Sequence, residues 1–253
     1  MTASPARQER ITAAVLVIGD EILSGRTKDQ NIGTIASHLT ALGIDLKEVR
    51  VVADDEADIV NALNALRARY TYVFTTGGIG PTHDDITADA VAKAFGVSIA
   101  IHPEARALMQ ENCDRRGIEL TASRLRMARI PEGGKLVRNT VSVAPGFWIG
   151  NVIVMAGVPS IMRVMLDDVT QHLERGTPML SRTIEVLHPE GAIADLFRRH
   201  AADYPDVVMG SYPQNTDGRY WTQLVLRSTD AERLDVAAAT LKATLAERHL
   251  TAN

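Results

Sequence analysis

Residues Thr75 to Asp89 read TTGGIGPTHDDITAD, and these residue types can do chemistry together. Gly77, Gly78 and Gly80 carry no side chain, so their backbone amides can approach a ligand closely and adopt positive φ. Pro81 stiffens the loop, and Thr76 and Thr82 add hydroxyls. A helix start follows, so the amides form a natural anion cradle. Asp84 and Asp85 then set two carboxylates beside the anion. They would repel a phosphate unless a divalent cation such as Mg2+ is shared between them. Glycine cradle plus paired aspartates suits a nucleotide or phosphorylated cofactor held with a metal. The plainer reading is a strand-to-helix turn with Asp85 as a helix cap.

Two further segments have the same placement. Gly19-Asp20-Glu21 follows the apolar run Ala13 to Gly19, and Gly157-Val158-Pro159-Ser160 follows Asn151 to Ala156. Both are expected at strand ends, on the edge where open α/β sheets bind ligands. Asp20 and Glu21 are candidates for metal or ribose contacts, and Pro159 also suits an ordinary helix start. Arg126 is a candidate phosphate contact. Asn139 either bonds a ligand or holds a turn. Arg124 and Arg129 read as a solvated helix face. His38, His102, His172 and His200 show no metal-ligand spacing and are read as surface. Cys113 is expected to be inert.

The elements that must hold these groups alternate. Ala13 to Gly19, Val49 to Ala53, Thr71 to Thr76 and Asn151 to Ala156 have strand length and apolar density. Between them, Ile32 to Leu42, Asp55 to Leu66 and Ile86 to Phe95 follow helical spacing, with Gly43 and Gly96 as stops. This βαβα rhythm predicts an α/β fold, a mainly parallel sheet covered by helices on both faces. Pro103 to Arg116 and Ala122 to Ala128 read as helices, Pro131 to Gly146 as a looped stretch, and Val158 to Leu173 as a helical stripe. Gly176-Thr177-Pro178 is the expected boundary. Beyond it a βαββα order predicts a small α+β module, with Tyr212 to Arg219 as a turn and Ala231 to Leu250 as the closing helix. The expected division is a flexible tail over 1–12, a binding domain over 13–176 and the small module over 177–253.

Composition narrows the function. The chain has 253 residues, 45% of them apolar, and 27 basic against 31 acidic side chains, a net charge of −4. That excludes disorder and a nucleic-acid-coating protein. Aromatics at 4% disfavour base-stacking platforms. A single cysteine excludes an intrachain disulfide and fits a reducing cytoplasm. No apolar run is long enough to span a membrane.

VIGDEILSG, TTGGIGPTHDDITADAV, APGF and AGVPSIM together resemble the N-terminal domain of the CinA family, within the wider MoaB/Mog group of molybdopterin-binding domains. The resemblance covers about Ala13 to Leu173 and continues through SRTIEV and GSYP. It implies a three-layer α/β/α sandwich that holds a pterin or nucleotide pyrophosphate over the glycine loop, and a homo-oligomer, dimer or trimer. It also implies metal-dependent hydrolysis of a nucleotide pyrophosphate such as ADP-ribose, with FAD as a related substrate, through Asp84 and Asp85 helped by Glu21. Adenylylation of molybdopterin, or plain binding of a pterin or nucleotide, are the alternatives. His83 stands where the family often has lysine, so that phosphate contact is not carried over. Asn139-Thr140-Val141-Ser142 lacks the proline of the related stretch. The amidohydrolase domain of full-length CinA proteins is not expected here.

Overall fold

The structure is a computed structural model that describes residues 10–250. It divides into two compact units, one ending at Gly176 and one beginning at Thr177. Positions 1–9 of the expected tail lie outside the described residues. The strand that follows begins earlier than expected, at Thr12.

The first unit runs β1 (Thr12–Ile18), α1 (Asp20–Leu23), α2 (Asn31–Ala41), β2 (Asp45–Val52), α3 (Glu56–Arg67), β3 (Tyr72–Thr76), α4 (Thr87–Phe95), β4 (Ile99–Ile101), α5 (Pro103–Arg116), α6 (Ala122–Arg126), β5 (Arg129–Pro131), β6 (Lys135–Val137), β7 (Gly146–Ile149), β8 (Val152–Met155) and α7 (Pro159–Thr170). One six-stranded sheet has the order β2-β1-β3-β8-β7-β6. Its first four strands are parallel, and β7 and β6 are antiparallel additions.

The sandwich follows from β1. Its Ala14, Leu16 and Ile18 enter the core under α3 and α4, with Leu63, Leu66, Ala90 and Val91. Its alternate residues Ala13, Val15 and Val17 enter the opposite core under α2 and α7, with Ile35, Leu39, Met162 and Met165. A strand buried on both faces can have no polar alternation, which is why the run reads as uniformly apolar. The expected loop from Pro131 to Gly146 is corrected: it contains β6 and leads into β7. The three residues of β6 lie at the sheet edge and have too little length for a period-two pattern to register.

The second unit runs β9 (Leu180–Val186), α8 (Glu190–Asp203), β10 (Val208–Thr216), β11 (Arg219–Ser228) and α9 (Ala231–Glu247). Its antiparallel sheet has the order β10-β11-β9. Ile184, Val186, Leu224 and Leu226 pack with α8 and α9 in a separate core. The expected turn from Tyr212 to Arg219 shrinks to Asp217-Gly218, both at positive φ, and the strands continue to either side. His200 is not on the surface. It is 6% exposed and its Nε2 donates to Ala237 O at 3.0 Å. Burial lowers its pKa below the ordinary histidine value.

Candidate functional site

Parallel strands end in register, so β1, β3 and β8 deliver Gly19, Gly77 and Gly157 to one edge of the sheet. Gly157 and Gly77 are packed together: a Cβ on Gly157 would lie 3.3 Å from the Gly77 Cα. The loop after β3 is the crest of this edge. Gly77 and Gly78 sit at φ +104° and +64°, where an L side chain is strained. A Cβ on Gly77 would meet Ile18 O at 2.1 Å, and one on Gly78 would meet Thr87 Oγ1 at 2.2 Å. These two glycines are therefore demanded first by the protein's own packing, not by the approach of a ligand. The Gly77 N–H is also taken, donating to Met155 O at 3.2 Å. The amides of Gly78, Ile79 and Gly80 remain for an anion.

Thr87, at the start of α4 and missed in the sequence, holds the loop. Its Oγ1 donates to Gly77 O at 3.0 Å and its N–H to Gly78 O at 3.0 Å. Thr82 turns inward on Asp85 rather than outward. Its N–H and hydroxyl donate to Asp85 Oδ2 at 2.8 and 2.6 Å. The same carboxylate folds over Gly80, where a Cβ would be 2.6 Å from Oδ2. Pro81 is exposed.

Asp84 is the open member of the pair, with its side chain 61% exposed. Asp54, just past β2, joins the site although no motif marks it. Its Oδ2 accepts the Asp20 N–H at 3.0 Å. Burial raises its pKa above the ordinary carboxylate value despite that bond, and the nearby charges of Asp20, Glu21 and Asp84 add to the rise. A position one strand away in sequence is invisible to local spacing; only the β1–β2 pairing brings it in.

Two recesses flank the crest. The smaller, about 20 Å³, lies on the α4 side between Gly78, Gly80, Asp85 and Arg126. It has room for about one water. Arg126 reaches it with its Nε buried and unpartnered, while a terminal nitrogen donates to Asp85 O at 3.5 Å. Arg129 is not a solvated charge: it forms a two-bonded pair with Asp89 at 2.9 and 2.6 Å. The larger recess, about 150 Å³, lies on the α2 and α7 side. Glu21, Lys28, Asn31, Thr76, Gly157 and Pro159 are among its lining residues. Ser160 is exposed and is not part of that lining.

Asn139 is corrected. Its Nδ2 donates to Ser142 Oγ at 2.6 Å and Ala144 O at 2.9 Å. Its Oδ1 accepts from the N–H groups of Val141 and Ser142 at 3.0 and 3.1 Å. The amide is spent on its own loop and has nothing left for a ligand.

Among the described residues, no three carboxylates, histidines or cysteines converge into a metal cage. The aspartate pair fits a different mode. Mg2+ keeps much of its hydration and takes one or two carboxylates plus phosphate oxygens from the substrate.

An α/β/α sandwich with a glycine loop and carboxylates at the carboxyl edge of parallel strands has the architecture of a small-molecule binding domain. Residues 14–175 match the family described as a probable molybdopterin binding domain, and the chain belongs to that family. Residues 178–253 match a second family, described as FAD synthase, middle domain. The protein CinA of Thermoplasma acidophilum, of unknown function, is 34% identical, with a TM-score of 0.59 over 64% of this chain and 96% of that one. An Aeropyrum pernix protein is 32% identical over 83% of this chain and 82% of its own length. A Metallosphaera sedula protein is 35% identical over 64% of this chain and 63% of its own, just under two thirds. Among the described residues, no helix is long and apolar enough to cross a membrane.

Proposed function

We propose that the first unit is a metal-dependent hydrolase of a nucleotide pyrophosphate, of the ADP-ribose or FAD type. The observation that carries the reading is the crest itself. Open amides, the Asp84–Asp85 pair and a raised-pKa Asp54 meet at one sheet edge, with a recess on either side. The amides of Gly78 to Gly80 and Arg126 hold the phosphate charge. Asp84 and Asp85 are the residues that would hold a divalent ion, which when bound supplies Lewis-acid polarisation of a phosphoryl oxygen. Asp85 is oriented for this by Thr82. Asp54 accepts a proton from the attacking water. The new bond joins that water's oxygen to phosphorus, and the bridging phosphorus–oxygen bond breaks with its electron pair on the bridging oxygen, which departs on the second phosphate monoester. A carboxyl raised by burial is a better base near neutral pH than an ordinary aspartate. Glu21 completes the acidic side of the site.

The match of the second unit to the FAD synthase middle domain supports a flavin or adenine nucleotide as substrate. The family's description supports a second reading, in which a molybdopterin-type pterin occupies the same crest and is bound or adenylylated. Incubating the protein with ADP-ribose, FAD and Mg2+ and following AMP separates them: release of AMP supports hydrolysis, and binding without release supports the second reading.

A further inference from the structure

Asn31 and Thr76 carry polar atoms that the fold buries without a protein partner, and both line the larger recess. Asn31 is 4% exposed and Thr76 1%. The Asn31 amide cannot be turned over. Its Nδ2 donates to Gly157 O at 2.7 Å, and an oxygen in that place would face another oxygen. Its Oδ1 is therefore an acceptor with no donor. Thr76 ends β3, and its Oγ1 is equally unpartnered. A buried polar oxygen left unpaired destabilises the fold, so neither atom is there for stability.

The rest of the lining says what kind of group brings the missing donors. Glu21 adds a third acceptor. Among the described residues, no aromatic side chain lines the recess, so a purine or pterin ring would find nothing there to stack on. At about 150 Å³ it is far smaller than a pocket for a whole dinucleotide, and of the order of one sugar ring. Lys28 lines it as well, beside Asp29, whose Oδ1 already takes the Ile32 N–H of α2 at 2.8 Å; Lys28 and the start of α7 are what a phosphate would meet there.

We propose that this recess binds a ribose-type vicinal diol, with the 2-hydroxyl donating to Thr76 Oγ1, the 3-hydroxyl to Asn31 Oδ1, and the sugar's phosphate beside the Gly77–Gly80 loop. The assignment rests on the pyrophosphate reading above and names the part of that substrate which the α2 side recognises. Asn31 is then a specificity residue that no sequence motif on the crest contains.

Calorimetry of the full chain with ribose 5-phosphate and with 2-deoxyribose 5-phosphate tests this. The wild-type protein should bind the ribose compound roughly tenfold more tightly, the scale of one lost hydrogen bond that leaves a buried acceptor unpaired. Thr76→Val has nearly the same shape and deletes the unpartnered hydroxyl. It should melt at or above the wild-type temperature and lose most of the discrimination between the two sugars. Equal binding of both sugars by the wild type overturns the proposal, as does binding of neither. Discrimination that survives intact in Thr76→Val overturns it too. So does a lower melting temperature in that variant, because the hydroxyl would then be satisfied within the folded protein. AMP release from ADP-ribose is followed separately. Sugar discrimination without AMP release leaves the diol site standing and removes the hydrolase reading; AMP release without discrimination does the reverse.

Discussion

Asp84 and Asp85 are neighbours with unequal structural roles. Asp85 is locked by two bonds from Thr82, whereas Asp84 faces solvent. Asp84→Asn should therefore change stability by less than about 0.5 kcal/mol, as for an ordinary surface site. Asp85→Asn should cost about 1 kcal/mol, the worth of a local cap-like bond. Both should lower metal-dependent turnover at least about a hundredfold if each carboxylate holds the metal. Melting curves and initial rates check the pair. Asp54→Asn should abolish turnover while leaving the melting temperature at neutral pH unchanged or higher. The reason is that a folded pKa raised by burial makes the ionised carboxylate a destabilising group. The sign follows from proton linkage: between the ordinary value of 3.8 and the raised one, the folded state binds more protons, so that contribution to stability falls as pH rises. The paired aspartates were legible because they are contiguous. Asp54 and Asn31 were not, because β2 pairing and the packing of α2 carry them to the crest from elsewhere in the chain. Asn139 misled for the opposite reason: a turn-holding asparagine and a ligand-binding one look alike until their partners are seen.

The strand-to-loop junctions were the most legible elements, since a uniformly apolar run of strand length that stops at glycine fits a strand buried on both faces and little else. What spacing could not tell was why the glycines are there. Gly77→Ala and Gly78→Ala should each cost more than about 2 kcal/mol, from positive φ and from the collisions with Ile18 O and Thr87 Oγ1. Chemical denaturation measures this, and a change within about 0.5 kcal/mol would show that the loop relaxes freely. At the predicted cost, the bulkier Gly78→Val reports folding rather than binding. In the second unit the decisive element is α8, whose His200 read as surface because one histidine breaks no helical pattern. Its folded pKa is depressed by burial, so its contribution to stability is present above the ordinary value of 6.5 and is lost as pH falls below it. Thermal melts should show the wild type losing stability between neutral and mildly acidic pH, and His200→Asn losing less over the same interval.

Across the whole molecule, the chemistry is assigned to the first unit and the second is left a folded module with its own core. The expected boundary at Gly176-Thr177-Pro178 came from the change in period of the apolar pattern, and the compact units part after Gly176. The long ribbon of β10 and β11 was hidden by its many turn-forming residues. Tyr212 is 46% exposed and lies against Gly210. Tyr212→Ala and Arg219→Ala should therefore leave both melting and turnover close to wild type; lost turnover in a normally melting variant would place part of the site in this unit. Light scattering of the full chain tests the dimer or trimer that the family resemblance implies. The central claim is hydrolysis at the glycine crest, and AMP release from ADP-ribose in Mg2+ tests it most directly, with wild type and Asp85→Asn side by side. The expected result is release that requires the metal and is lost in a variant that still melts cooperatively. Release that is indifferent to chelation or unchanged in Asp85→Asn would contradict it, as would tight binding of ADP-ribose with no AMP formed.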